Sequence, residues 1–433
     1  MSRHALAVLL SLAAAAQVAG AQDGPIASVS LADAMQHARR DPPAVLRAVA
    51  ALHEAEAQSD YARSQWLPAL KLEAGGGYAY DNQLAAPGTP RIEGHAITAR
   101  GAASLEWTAL DLARSARVSA AEATAASERS ALAAVQDRAA LLAAELYFRA
   151  AAADALVSAA ELSLERRTQQ RAAAAALVQA GTRSPVDVQR AEIERVSAEY
   201  ALHVRKSERR AAFAALAAAL GRPASELVRP VDPTAALRGT QASLARARAL
   251  AFGRRQELRS AASAIEAREG EHDAALGARW PTLGASATAS SSYADVRSGV
   301  GLEGDQYAAT AGLFLRWPSF DPAIWGRAAA TEAAVTVAAR ERDALRHDID
   351  AQVVQAYYAL ERATTESQRA VAVLEAAEVA REAQNGRYLT GLASLLELLD
   401  AEDLEQDARE RRIETTRDEA IARAQLLAAC GEL

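Results

Sequence analysis

The feature that most constrains the fold of this chain is a large internal duplication. Gly181 recurs as Gly391, and tryptophan, tyrosine, aspartate and serine residues on either side of it recur at the same offset of 210 residues. A period of this length marks a duplicated, domain-sized unit, since solenoid repeats are only about 20–50 residues long. The sequence therefore predicts two structural repeats, at residues 22–240 and 241–433.

Each repeat is predicted to contain two strands followed by a long helical hairpin. Gly181 and Gly391 end the first arm of each hairpin, because glycine adopts the left-handed conformation at a helix end at little cost. The first arm, from about Leu112 to Ala180, would span on the order of 100 Å at 1.5 Å per residue. The predicted strands lie near 70–80, 96–107, 282–293 and 307–317, and the hairpins lie at about 112–220 and 322–429.

The first long helix carries the spacing of a coiled coil. Apolar residues recur on it at alternating intervals of three and four, at Leu132, Val135, Ala139, Leu142 and Leu146. This is the spacing of the seam in a left-handed coiled coil. We therefore expect these side chains to form the packed face of the helix.

The first 21 residues have the pattern of an export signal. Arg3 and His4 precede a short apolar run, and Ala19-Gly20-Ala21 forms a small-residue cleavage site. The apolar run is too short for a membrane anchor, which needs about 20 residues. Cleavage is therefore predicted after Ala21, which makes residues 1–21 the signal peptide. The next residue is Gln22 and not cysteine, so no lipid anchor is expected.

The predicted strands alternate between apolar and mostly polar or small residues. In the second strand of each repeat the apolar set ends in an aromatic residue, at Trp107 and Trp317, and Tyr307 lies on the same face as Trp317. This is the two-residue period of a lipid-facing barrel wall with interfacial aromatics, although a half-buried soluble sheet shows it too. Four strands are too few to close a membrane barrel, which needs at least about eight. Several chains would have to share one barrel.

Composition excludes several other functions. The formal net charge is −7 and the chain has a single cysteine, which argues against a nucleic-acid partner and rules out an internal disulfide. The segment Gly299–Gly304 matches a dinucleotide fingerprint but opens no helix, so it is interpreted as a loop. The histidines are scattered, and no nucleophile or phosphate-binding motif is present. We expect no catalytic residues, no metal site and no cofactor.

Taken together, the ordered elements resemble the TolC-type outer-membrane efflux proteins. The resemblance covers nearly the whole mature chain and rests on the duplicated order of elements, on Phe320-Asp321 before the second long helix, and on the two turns that begin at Gly181 and Gly391. It implies a mainly α fold with a small membrane β-barrel. Three chains would form a homotrimer with a twelve-stranded barrel in the outer membrane and a helical tunnel in the periplasm.

The same resemblance implies function and partners. Such a channel is in contact with outer-membrane lipid and acts with a periplasmic adaptor and an inner-membrane pump of the RND, ABC or MFS type. It exports drugs, metals or polypeptides. The alternative is a periplasmic coiled-coil adaptor, but an adaptor would carry one hairpin between two β halves, whereas this chain has two hairpins.

The two hairpin turns, termed the tip turns, are the candidate functional sites. The resemblance makes them the surface on which the adaptor docks, through Gly181, Thr182, Arg183, Ser184, Gly391, Leu392, Ala393 and Ser394. It also assigns to the periplasmic gate Glu397, Asp400, Asp187 and Arg183. The spacing gives Glu397 and Asp187 a second interpretation, as capping-box acids of Ser394 and Ser184. Ala393 stands where the best-known family member has a linking arginine.

Overall fold

The computed structural model describes residues 27–83, 92–231, 243–297, 302–318 and 321–433. Residues 302–304 of the predicted loop at Gly299–Gly304 belong to the strand that begins at Leu302, whereas the predicted signal segment, Phe320 and residues 299–301 of that loop lie outside these ranges. Within them, no helix is both long and apolar enough to cross a membrane. In chain order the elements are β1 (Ala27–Val29), α1 (Leu31–Ala38), α2 (Pro43–Ser64), β2 (Ala69–Gln83), β3 (Ile92–Leu110), α3 (Leu112–Gln179), α4 (Pro185–Ala219), β4 (Val228–Pro230), α5 (Leu244–Arg254), α6 (Gln256–Gly277), β5 (Thr282–Arg297), β6 (Leu302–Arg316), α7 (Pro322–Leu389) and α8 (Leu395–Cys430).

The two longest helices begin in the same way. The Oδ1 atom of Asp111 accepts a hydrogen bond from the Ala113 N–H at 2.9 Å, and Oδ1 of Asp321 accepts one from the Ala323 N–H at 2.9 Å. Each bond satisfies a backbone donor that the first turn of a helix leaves open. The order of strands, long helix and returning helix therefore occurs twice with the same local chemistry, whereas the division of the chain at residue 240 stays a prediction.

The long helices also end in the same way. Gly181 has φ = +71° after α3, and Gly391 has φ = +85° after α7. Both values lie in the left-handed region that favours glycine. Ser184 and Ser394 then adopt extended backbone conformations and cap α4 and α8. These turns are as the sequence predicted.

Four strands form one antiparallel sheet in the order β2-β3-β5-β6. The strands are longer than predicted, with 15, 19, 16 and 15 residues. A second sheet pairs β1 with β4 in parallel. This pair was not predicted, because three-residue strands almost 200 residues apart leave no periodic pattern in the sequence.

The chain divides into two compact units. One comprises Met1–Val49, Ala131–Glu257 and Leu345–Leu433, and the other comprises Ala50–Ser130 and Leu258–Ala344. The first unit contains the β1–β4 pair and both tip turns. The second contains the four-stranded sheet.

The packed face of α3 differs from the predicted seam. The fully buried side chains of its central part are Ala140, Ala143, Ala144 and Tyr147, whereas Leu142 is 50% exposed. The predicted seam is therefore wrong by one position at Leu142. Alanine has no side chain beyond Cβ, so an alanine face lets helices approach closely, and Leu146 packs only partly buried against it.

Candidate functional site

The register of the four-stranded sheet separates its two faces. One row across the sheet contains Leu70, Leu105, Ala287 and Ala311, and the adjacent row contains Lys71, Ser104, Thr288 and Thr310. Successive side chains of a strand point to opposite faces. One face is therefore mostly apolar, with polar residues such as Ser291, Asp295 and Asp305 toward the loop end of β5 and β6, and the other is mostly polar. Phe314 is an exception on the polar face, where the Arg316 guanidinium lies 5.6 Å from its ring centre.

The apolar face is exposed in the single chain. Leu72, Tyr307 and Leu313 are 75%, 78% and 81% exposed. Soluble monomers rarely expose a continuous apolar patch of this kind, which marks a protein or membrane contact. The predicted interface aromatic Trp107 lies on the same face, Trp317 directly follows the last residue of β6, and both are exposed.

Aromatic residues on this face and at its end are spaced to match a membrane. Tyr307 and Trp317 are ten residues apart, or about 33 Å along a strand. A strand tilted by about 45° would reduce this to roughly the 25 Å height of the apolar band in membrane barrels. The sequence analysis missed Tyr78 and Tyr80, which lie on the same face of β2; their alternation with Ala79 was the available signal.

The two tip turns lie together in the first unit, joined by Arg183. Its guanidinium donates hydrogen bonds to the backbone carbonyls of Ala393, at 2.7 Å, and Tyr388, at 3.1 Å. It also lies 4.9 Å from the centre of the Tyr388 ring, within the range of a cation–π contact. The side chain of one tip turn therefore holds the backbone of the other.

An apolar cluster supports this contact. It contains Ala174, Ala191, Tyr388, Leu395, Leu398 and Leu399, contributed by α3, α4, α7 and α8. Burial of Tyr388 and the nearby Asp187 carboxylate raise the pKa of the Tyr388 hydroxyl, so it is protonated at neutral pH. Ala393 is buried, whereas Leu392 projects outward with 74% exposure.

The two candidate capping boxes differ. Ser394 Oγ accepts from the Glu397 N–H at 3.2 Å, and the Glu397 carboxylate accepts from the Ser394 N–H at 2.8 Å. The bond from the Ser394 N–H to the carboxylate is the largest cause that lowers the pKa of Glu397. The capping-box interpretation of Glu397 is therefore confirmed.

The corresponding interpretation of Asp187 is wrong. Ser184 Oγ accepts from the Val186 N–H at 3.3 Å, one residue earlier than a capping box requires. The Asp187 N–H instead donates to the Ser184 carbonyl at 3.0 Å. Asp187 is half-buried and its charge acts on Tyr388.

Asp400 is exposed one turn beyond Glu397 on α8. Thr182 stays within its own turn, where its hydroxyl donates to the Leu177 carbonyl at 2.9 Å. The structure thus brings Arg183, Asp187, Tyr388 and Ala393 together. Convergence of Glu397 and Asp400 from several chains stays a prediction.

A sheet with one exposed apolar face, joined to two long helical hairpins, defines the class of channel subunits that share an outer-membrane barrel. Residues 34–222 and 247–432 match the family described as outer membrane efflux protein. This chain belongs to that family. Its members are outer-membrane efflux channels, not enzymes, and act with a periplasmic adaptor and an inner-membrane pump, so the adaptor alternative is not favoured.

Solved structures agree with this fold. The chain is similar to the outer membrane protein VceC from Vibrio cholerae, with 18% identity, a TM-score of 0.71 and coverage of 93% of this chain and 96% of that one. The CmeC outer membrane channel of Campylobacter jejuni has 15% identity and a TM-score of 0.75, with coverage of 93% of this chain and 85% of that one. The open state of the MtrE outer membrane channel of Neisseria gonorrhoeae has 18% identity and a TM-score of 0.70, with coverage of 93% of this chain and 88% of that one. No curated protein sequence matches this chain significantly.

Proposed function

We propose that three copies of this chain close a twelve-stranded barrel in the outer membrane and form the exit duct of a tripartite efflux system. The observation that carries this proposal is the exposed, mostly apolar face of the four-stranded sheet. The outer edges of β2 and β6 have no neighbouring strand among the described residues. Open strand edges cannot face hydrocarbon. Pairing between copies would supply the missing hydrogen bonds at both edges, and lipid would cover the apolar face.

Channel activity in a planar lipid bilayer tests this function. The purified protein should insert and give stable ion conductance, and it should resist extraction from membranes at alkaline pH. Protein that is released by alkaline washing and gives no conductance would contradict the proposal and would favour a peripheral, adaptor-like protein.

The N-terminal sequence supports export by a cleaved signal without a lipid anchor. The mature protein should begin at Gln22 and fractionate with outer membranes. N-terminal sequencing together with the intact mass measures both features. An uncleaved N-terminus, or a mass increased by fatty acid, would contradict this part of the proposal.

The tip turns are proposed as the docking surface for the adaptor. Leu392 and Val186 are 74% and 55% exposed beside them, and exposed apolar side chains of this kind suit a protein contact. A cysteine at Leu392 should crosslink to the adaptor in cells, whereas a cysteine at the exposed Tyr358 of α7 should not. The pump class, RND, ABC or MFS, is then identified by what copurifies with the crosslinked adaptor.

The periplasmic gate is proposed to combine Arg183 and Asp187, which hold the tip turns, with Glu397 and Asp400, which face the axis of the trimer. Six such carboxylates at one constriction would favour cations and bind multivalent ones. Asp400→Asn spares the Ser394–Glu397 capping box. It should reduce block by multivalent cations added on the periplasmic side of a bilayer, and unchanged block would remove Asp400 from the gate.

A further inference from the structure

A small polar cavity lies between α3, α7 and α8 in the first unit, next to the tip turns. Its volume is about 160 Å³. Arg166 and Gln170 of α3, Arg381 and Tyr388 of α7, and Glu402 of α8 contribute to its wall. The cavity is large enough for several water molecules or one polyatomic ion.

Four buried polar atoms in this wall lack hydrogen bonds among the described residues; Arg381 Nε and Glu402 Oε2 have ion-pair partners, and the other two have none. These two are the amide nitrogen of Gln170 and the hydroxyl of Tyr388, on residues that are only 7% and 1% exposed. The Gln170 carbonyl oxygen accepts from Arg167 at 3.5 Å, which leaves the NH₂ group as the free end. Buried polar groups almost always have partners, so these two require a third group.

The wall supplies mainly donors. An amide NH₂ donates, a protonated phenol donates, and Arg381 has a buried Nε–H without a hydrogen bond, although Glu405 lies 3.8 Å away as an ion-pair partner. The acidic group of the wall is Glu402, whose Oε2 atom lies 2.8 Å from Arg167 as an ion pair without hydrogen-bond geometry. A group that fills this cavity must therefore be rich in acceptors.

The wall itself carries two guanidinium groups, of Arg166 and Arg381, against one carboxylate, of Glu402. In the wider ion-pair network four arginines face four acids, and two of those acids are exposed to solvent. Four guanidinium groups have side chains at most 29% exposed, those of Arg166, Arg167, Arg381 and Arg409. Only Glu402 and Glu405 are buried to a similar degree, at 13% and 2% exposure. The other acids that pair with these arginines, Asp403 and Glu378, are 62% and 44% exposed and partly screened by solvent.

We propose that this cavity is a binding site for a small inorganic oxyanion of the phosphate or sulfate type. Its oxygens would accept from the Gln170 amide on α3 and from the Tyr388 hydroxyl and Arg381 on α7. Guanidinium groups bind such oxyanions through several charge-assisted hydrogen bonds. The anion would join the first hairpin to the second next to the Arg183 contact, whether or not the gate works as proposed.

Tyr388→Phe is the variant that tests the site. Phenylalanine keeps the ring under Arg183 and the backbone carbonyl that Arg183 binds, and removes only the hydroxyl. Tyr358→Phe is the matched control, because Tyr358 is an exposed tyrosine of the same helix. Gln170→Leu is a second, independent variant on the opposite wall.

The measurement is the thermal unfolding of the full-length protein in detergent. Phosphate and sulfate are titrated, and chloride at matched ionic strength is the reference. Wild type and Tyr358→Phe should gain roughly 2 °C or more over a hundredfold rise in oxyanion concentration. Tyr388→Phe and Gln170→Leu should gain less than half of that.

Three results would overturn the proposal. An equal rise of the unfolding temperature in all four proteins would be the general stabilisation by salts that are excluded from protein surfaces. A Tyr388→Phe protein that is as stable as wild type or more stable in every buffer would mean that the cavity stays empty. A loss of stability of the same size in every buffer would mean that water, and not an anion, is the partner of the hydroxyl.

Discussion

Arg183 and Ala393 occupy equivalent positions in the two tip turns but behave differently. Ala393 is buried and supplies only a carbonyl, which the Arg183 guanidinium binds. The arginine expected in the second turn from the resemblance is thus absent, and an arginine in the first turn holds the two turns of one chain together. The sequence predicted that Arg183 lies in the first tip turn. Its partners could not be predicted, because they are backbone atoms of the other repeat.

Replacing Arg183 tests this contact. Arg183→Ala removes two hydrogen bonds from a charged donor and a cation–π contact, and it should weaken the closed arrangement of the turns by about 2 kcal/mol. Single-channel recordings should then show longer openings or a larger conductance. Arg190→Ala, which removes an exposed arginine of the same helix, is the control and should behave as wild type. Equal recordings for both variants would contradict a gating role.

The Ser394–Glu397 capping box gives a prediction about pH. The pKa of Glu397 is lowered in the folded protein, so the bond contributes stability above the unfolded value of 4.5 and loses it as the pH falls through the lowered value. Glu397→Ala should therefore destabilise the protein at pH 7, where the ionised carboxylate accepts from the Ser394 N–H, and by less as the pH falls below 4.5.

Thermal unfolding between pH 3 and pH 7 measures this difference. Ser184→Ala is the matched control, because Ser184 caps its helix through Val186 and has no acid in return. Its effect should be nearly the same at both ends of the range. A parallel pH dependence in the two variants would mean that Glu397 does not contribute through the cap.

At the scale of elements, the regular features were the predictable ones. The glycine turns, the order of elements and the alternation of β3 and β6 follow local rules, and all were found. The seam of α3 was misplaced at Leu142, since a helix rich in alanine offers several equally apolar faces. The β1–β4 pair was missed because its stability comes from the core around Tyr147, Phe213 and Leu216 and not from its own sequence.

A glycine of a tip turn and a glycine within a helix should respond in opposite ways to substitution by alanine. Gly391→Ala forces a residue with a Cβ atom to φ = +85° and should cost about 1–2 kcal/mol. Gly386→Ala lies within α7, where a Cβ atom meets nothing within 4 Å, and should stabilise the protein by up to about 1 kcal/mol. Unfolding midpoints compare the two. A stabilising Gly391→Ala would contradict the assigned turn.

The sheet predicts different effects at neighbouring positions of β6. Ala309 lies on the apolar face, in the row with Ala103 and Ala289, and Thr310 lies on the polar face. Ala309→Arg should cost about 2–4 kcal/mol if the position faces the middle of a membrane, and should reduce the amount of protein assembled in outer membranes. Thr310→Arg should assemble normally. The reverse result would mean that the apolar face points to a protein interior.

At the scale of the whole molecule, the sequence predicted the family, and the match over residues 34–222 and 247–432 confirms it. The sharing of one barrel by several chains could be inferred only from the number of strands, because four strands with two open edges cannot form a membrane barrel alone. Neither the substrate nor the pump has a comparable signal in the chain. An efflux duct has no pocket whose side chains must match one cargo.

The central claim is that three chains share one barrel. Native mass spectrometry of protein extracted from outer membranes in detergent tests it most directly. The account predicts a complex with the mass of three chains that begin at Gln22, with the monomer present only after denaturation. A monomer or dimer that remains inserted in the membrane and conducts ions would contradict it.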